Sequence, residues 1–179
     1  VGIGRDEIRQ GSANAIQSEI DAGNFEGAAE KLAKRRDAYP DDFDTRLNLA
    51  DVYYQLARES LDAKNQTAYV DYLAKAQAEV LEAVRIDPTS PRPHTWLGII
   101  TAYQGDLDSS ETSFKNALRL NLAERMELRA GTYYSNIAHI SVYQGKLGDA
   151  RRYLDKGVKN GAPQDEIDRV VETRPVCCS

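Results

Sequence analysis

His94, His139, Cys177 and Cys178 are the side chains of this 179-residue sequence most suited to chemistry, and neither pair is spaced for it. The two histidines could meet across neighbouring helices. Two imidazoles without nearby cysteine still fall short of the three or four ligands that hold a structural or catalytic zinc, so no metal is expected. Cys177 and Cys178 are adjacent at the chain end, with no C-x-x-C redox pair and no C-x-x-C-H haem attachment. Val176 stands where a prenylation box would need cysteine. Two readings stay open for them: an inert tail, or an intermolecular disulfide from one subunit to the next, which an oxidising compartment permits.

Catalysis needs a nucleophile beside a base, or titratable groups driven apart in pKa by a shared pocket. The sequence carries no G-x-S-x-G elbow, P-loop, H-E-x-x-H or strand-linked G-x-G-x-x-G. Its Asp and Glu residues fall on predicted solvent faces or helix starts, where solvated charge is the ordinary state. The expectation is a protein that is not an enzyme and holds no cofactor. The formal net charge is −5, with Lys and Arg scattered among acids. Nucleic-acid binding needs clustered positive charge, so that partner is not expected. No run approaches the ~20 apolar residues of a membrane-spanning helix. The start lacks a signal-peptide pattern and an initiator Met, which reads as a processed or trimmed chain. With its cysteine-free body, the chain fits an exported bacterial protein slightly better than a cytosolic fragment.

A composition of 41% hydrophobic and 28% charged residues is that of a folded chain with material for a continuous core. Apolar spacings of three and four predict helices over about residues 5–22, 25–39, 44–61, 67–86, 91–104, 107–120, 147–159 and 164–173. Residues 123–144 read as one long helix, or as two meeting near Gly131. No alternating segment is long enough for a strand, so the fold class is all-α. Ser90 and Pro91 form a helix start of cap and first-turn proline. The clearest unit is the hairpin over residues 96–120. Leu97, Ile100, Thr101 and Gln104 line one side, and Leu107, Ser110, Phe114, Ala117 and Leu118 the other. Gly98 and Ala117 are expected to let the two backbones approach. One such hairpin cannot bury both faces and needs neighbours.

The chain supplies them by repetition. Ala102-Tyr103-Gln104-Gly105-Asp106-Leu107 recurs as Val142-Tyr143-Gln144-Gly145-Lys146-Leu147, and more weakly around Gly23-Asn24-Phe25. Small residues at 28, 110 and 150 follow each turn glycine by five, with Leu32, Phe114 and Leu154 four further on. Ala76, Val80, Ala83 and Pro88 fit the same frame without a turn glycine. The spacings between positions 28, 76, 110 and 150 are 48, 34 and 40 residues, and the middle one equals the period of a tetratricopeptide repeat. The others place helical insertions near 57–70 and 122–130.

The chain therefore resembles the tetratricopeptide repeat (TPR) family, through Leu97-Gly98, Gly105, Phe114 and Ala117, and through Leu49-Ala50, Tyr53, Ala83 and Pro88. It departs from the pattern where His94 stands in place of tryptophan, with Trp96 two residues off, and where Thr101 and Ser141 replace tyrosine. The resemblance implies a single domain over 1–173, a right-handed solenoid of four hairpins at about 5–40, 44–88, 91–121 and 123–162. A capping helix at 164–173 and a tail at 174–179 follow.

It further implies that the first helices line a concave groove for a peptide or partner helix. The positions so placed are Leu47, Asp51 and Tyr54; Arg92, Thr95, Ile99 and Tyr103; and Ser135, His139 and Tyr143. Tyr54, Tyr103 and Tyr143 would form an aromatic ladder, or else pack between helices as core. Leu47, Thr95 and Ser135 occupy the places where some members carry a Lys/Asn/Arg clamp for a chaperone's C-terminal carboxylate, so that ligand is disfavoured. The leading expectation is a protein-binding scaffold. The alternative is a subunit that self-associates end to end into an oligomer or filament, because solenoids expose apolar ends unless capped.

Overall fold

The computed structural model describes residues 5–123 and 130–173, with side chains placed over 13–122 and 130–173. Among the described residues there are nine helices and no strand: α1 (Arg5–Asp21), α2 (Phe25–Ala38), α3 (Phe43–Asp62), α4 (Gln66–Ile86), α5 (Pro91–Tyr103), α6 (Leu107–Ala123), α7 (Ala130–Tyr143), α8 (Leu147–Lys159) and α9 (Gln164–Glu172). Consecutive helices pair as hairpins α1/α2, α3/α4, α5/α6 and α7/α8. The chain folds as two compact units, Val1–Ile86 and Asp87–Ser179.

One turn closes all four hairpins. Gly23, Lys64, Gly105 and Gly145 take φ of 70°, 58°, 84° and 71°. That left-handed conformation ends a helix by letting two N–H groups fold back onto its last carbonyls. Gly105 N–H donates to Ala102 O at 3.0 Å and Asp106 N–H to Thr101 O at 2.9 Å, and the other three turns repeat both bonds. The residue after the left-handed one then starts the next helix. The side chains of Asn24, Asn65 and Asp106 each accept the N–H three residues on, at 3.1 Å. Lys146 offers no such cap. The second hairpin thus has the same turn without glycine, Lys64 accepting a backbone conformation that costs an L-residue about 1–2 kcal/mol.

The repeat frame is the packing frame. Ala28, Ala76, Ser110 and Ala150 are all buried, and so are Leu32, Val80 and Phe114 four residues later. The long spacing between 28 and 76 is taken up as helix length. Helices α3 and α4 have 20 and 21 residues, against 13 for α5 and for α8. At ~3.6 residues per turn this adds about two turns to each arm. Most of the second expected insertion lies outside the described residues.

Unit 1 is tied together by a charge. Glu79 of α4 is 6% exposed. It accepts from Arg36 of α2 at 2.7 Å and from Arg46 of α3 at 2.6 Å. Arg46 also donates to the Pro40 carbonyl through two nitrogens, at 3.1 and 3.0 Å. The expectation that the acids sit on solvent faces fails at this residue. Position 79 lies three after Ala76 on the buried stripe of α4, and two guanidiniums make its burial tolerable.

In unit 2, Gly98 makes room for a ring rather than for a backbone: a Cβ there would lie 2.8 Å from the Phe114 ring. Ser110 Oγ donates to Gly98 O at 2.7 Å, so a hydroxyl and an aromatic ring share the space left by one missing methyl. Gly131 is the second residue of α7, and residues 124–129 before that helix lie outside the described ones. At position 131 a Cβ would stand 2.3 Å from the Ala162 backbone nitrogen. That close approach sets the turn leading to α9, whose Val170 packs with Ala138, Val142 and Ala150.

Candidate functional site

The groove positions expected on α3 divide by burial. Leu47 is 2% exposed and belongs to the core, which corrects its expected place in a groove. The reason is local. Helix α3 packs against both α2 and α4, and seven of its residues are buried. Asp51 and Tyr54 are half-buried. Asp51 lines a groove of about 390 Å³ between α1 and α3, with Ile16, Ile20 and Leu32 beneath and Asp44 and Asn48 beside it. Its carboxylate accepts from Gln55 Nε2 at 3.1 Å, and burial pushes its pKa above the usual carboxylate value.

In unit 2, Ser135 is fully buried and its hydroxyl donates to Gly131 O at 3.2 Å. It faces α8 at Gly157, where a Cβ would meet Ser135 Oγ at 3.2 Å, so its expected exposure is also corrected. Thr95 is half-buried. Its hydroxyl donates to Pro91 O at 3.1 Å and lies 3.4 Å from the Tyr133 hydroxyl, a link from α5 to α7. Ile99 packs on the cluster of Phe114, Ile137 and Ile140. Arg92, Tyr103 and Tyr143 are exposed, the two tyrosines at 41% and 39%. Both tyrosines are the last residues of their helices, directly before the closing turns.

His139 sits where α9 crosses α7. Its ring centroid lies 4.9 Å from that of Tyr143. Its Nε2 is 2.8 Å from Thr173 Oγ1. That hydroxyl donates its hydrogen to Arg169 O at 2.6 Å, so Nε2 carries the proton and is the donor. Burial first, and Arg169 second, lower the His139 pKa from 6.5 to about 4. The folded ring is therefore neutral near pH 7, and an unfolded ring protonates below about 6.5. Between those values the unfolded chain binds more protons, so stability rises with pH across the window and is lost as pH falls towards 4. Urea unfolding of the wild type should lose about 1–2 kcal/mol more than His139→Gln between pH 7 and 5, a figure discounted for the ring's partial solvation. Parallel pH profiles for the two proteins would remove this role. His94 is half-buried beside Arg119, and burial lowers its pKa too. The two imidazoles have different neighbours and form no pair. No cluster of three or more potential metal ligands occurs among the described residues, and Cys177 and Cys178 lie outside them.

Two features went unread in the sequence. The cations of α8 are gathered rather than scattered: Arg152 and Lys156 lie 5.3 and 5.7 Å from the Tyr153 ring, with Lys115 of α6 at 5.9 Å. Tyr153 stacks on Tyr134 at 6.4 Å. The second is the acidic side of α9, read in the sequence only as a capping helix, which adds Asp165, Asp168 and Glu172 to the depression around His139 and Tyr143. No helix among the described residues is long and apolar enough to cross a membrane.

No protein-family model and no curated protein matches the sequence. Two crystal structures of MamA align with TM-scores of 0.42 and 0.45 at 16% identity, covering 83% and 81% of this chain and 89% and 93% of theirs, too distant to bear on the fold. The crystal structure of TTC0263, a thermophilic TPR protein in Thermus thermophilus, aligns with a TM-score of 0.72 over 87% of this chain and 76% of that one, at 22% identity. In fold, then, this chain is a tetratricopeptide-type helical repeat.

Proposed function

We propose that the chain is a protein-interaction scaffold with no catalytic role, which holds a peptide or helix of a partner against the first helices of its hairpins. The observation that carries this is the pair Tyr103 and Tyr143. Each stands exposed at the end of a first helix while Ile100 and Ile140, three residues earlier, are buried. Tyrosine in that setting offers a rigid apolar ring with a hydrogen-bonding tip, the composition enriched at interfaces. Peptides selected from a displayed random library on the wild-type protein should bind the Tyr103→Ala/Tyr143→Ala variant at least about tenfold more weakly, or about 1.4 kcal/mol. Circular dichroism should be unchanged. Equal binding to both proteins would exclude these tyrosines from the site.

A second reading, end-to-end self-association, is favoured by Val171, which is 68% exposed on α9. Light scattering coupled to gel filtration separates the two. A monomer at all concentrations leaves the scaffold, and a concentration-dependent series supports assembly.

A further inference from the structure

We infer that the groove between α1 and α3 binds a basic side chain, Lys or Arg, carried by a partner segment with apolar neighbours. This rests on reading the chain as a peptide-binding scaffold and names the chemistry of what it holds.

The groove has an apolar base. Ile16 and Leu32 are 6% and 1% exposed, and Ile20 packs partly on the same cluster. Its rim carries Asp44 and Asp51. Among the described lining residues Arg35 is the single cation, and it is already taken by Asp42 at 3.1 Å, the two side chains being 17% and 9% exposed. Asp51 is in the opposite condition. Among the described residues its hydrogen-bond partner is Gln55 of the same helix, and no cation pairs with it. A carboxylate drawn partly out of water gains most from an arriving cation. A Lys or Arg stem lying along Ile16 and Ile20 would bring its charged head to Asp51, since these side chains bury their methylenes and keep the charge at the rim.

The wider field has the same sign. Residues 1–86 hold 11 Lys and Arg against 16 Asp and Glu, the whole of the net charge of −5, whereas residues 87–179 hold 12 of each. A negative unit speeds the encounter with a cationic segment and repels an acidic one. The occupant is therefore opposite in charge to a free carboxylate terminus.

The test uses the full chain, isotopically labelled, titrated with acetyl-Leu-Arg-Leu-amide and with the uncharged isostere acetyl-Leu-citrulline-Leu-amide. The arginine probe should shift the amides of Gln17, Asn48 and Asp51 and bind at least about fivefold more tightly than the citrulline probe at low salt, an advantage that falls as salt screens it. Asp51→Asn should bring the arginine probe to the citrulline value, and Asp44→Asn should reduce its advantage in part. The second variant keeps the test open if the first fails to fold. Equal affinity for the two probes, or shifts confined to residues 87–173, would overturn the inference. If library peptides bind through Tyr103 and Tyr143 while the arginine probe shows no preference, this assignment falls and the scaffold stands. If no peptide is selected at all, the scaffold reading itself has failed.

Discussion

Glu79→Ala should lower the stability of the protein by about 3 kcal/mol or more, the range seen when one member of a buried ion pair is removed. The carboxylate is the shared acceptor of Arg36 and Arg46, whose side chains are 26% and 13% exposed. Its loss leaves two guanidiniums facing each other in a partly dry space. Arg46 keeps the Pro40 carbonyl and Arg36 keeps Asp37 at 2.9 Å, which holds the cost to the lower end of that range. Glu79→Gln preserves shape and one acceptor but not charge, and should fall between wild type and alanine. Replacing all three residues with apolar ones of similar volume should recover much of the loss, because the desolvation of three charges disappears with them. Urea unfolding of the four proteins measures this. A loss below about 1 kcal/mol for Glu79→Ala would mean that water already screens the triad.

Glu79 also marks where the sequence was legible and where it was not. It stands three residues after Ala76 and four before Ala83, on the buried stripe of α4, whereas the expectation from sequence has every acid on a solvent face or at a helix start. The residues that resolve the conflict are 43 and 33 positions away, too far for any local pattern to join them. Local signals were read well. The Ser90-Pro91 start appears as written, with Ser90 Oγ accepting Arg92 N–H at 3.4 Å. The turn glycines and the small-residue frame at 28, 76, 110 and 150 also stand where the spacing put them.

The groove was read less well, for a physical reason. A repeat frame gives the rotation of a helix about its own axis, but not how many neighbours press on it. Leu47 is enclosed because α3 has partners on both sides, and Ser135 because α8 presents a glycine to it. Asp51, Tyr103, His139 and Tyr143 kept some exposure. Asp51 lines one acidic pocket, His139 and Tyr143 another, and neither lining could be seen before the helices were placed.

Gly131→Ala should destabilise the protein by about 3 kcal/mol, although the same change inside a helix ordinarily stabilises by roughly 0.5–1 kcal/mol. The sign is set by the turn after α8. A Cβ at position 131 would lie 2.3 Å from Ala162 N, 2.7 Å from Asn160 O and 2.8 Å from Ala162 Cα. These are backbone atoms and cannot rotate away as a side chain would. They are also fixed from the other side, since Gly161 has φ of 74° and Ala162 N–H donates to Gly157 O at 2.9 Å. The strain is relieved by moving the turn, and α9 follows the turn directly. Val170 then leaves its place against Ala138 and Val142, and Thr173 leaves His139. Two readouts should move together: the unfolding midpoint falls, and the His139 pKa climbs from about 4 towards 6.5 as its ring regains water. A variant as stable as the wild type would show that the turn yields at no cost. A destabilised variant with His139 still near 4 would place the yielding point in α7 rather than in α9. The pKa of one ring thus reports whether the capping helix is docked, and Gly131 is the residue on which that docking turns.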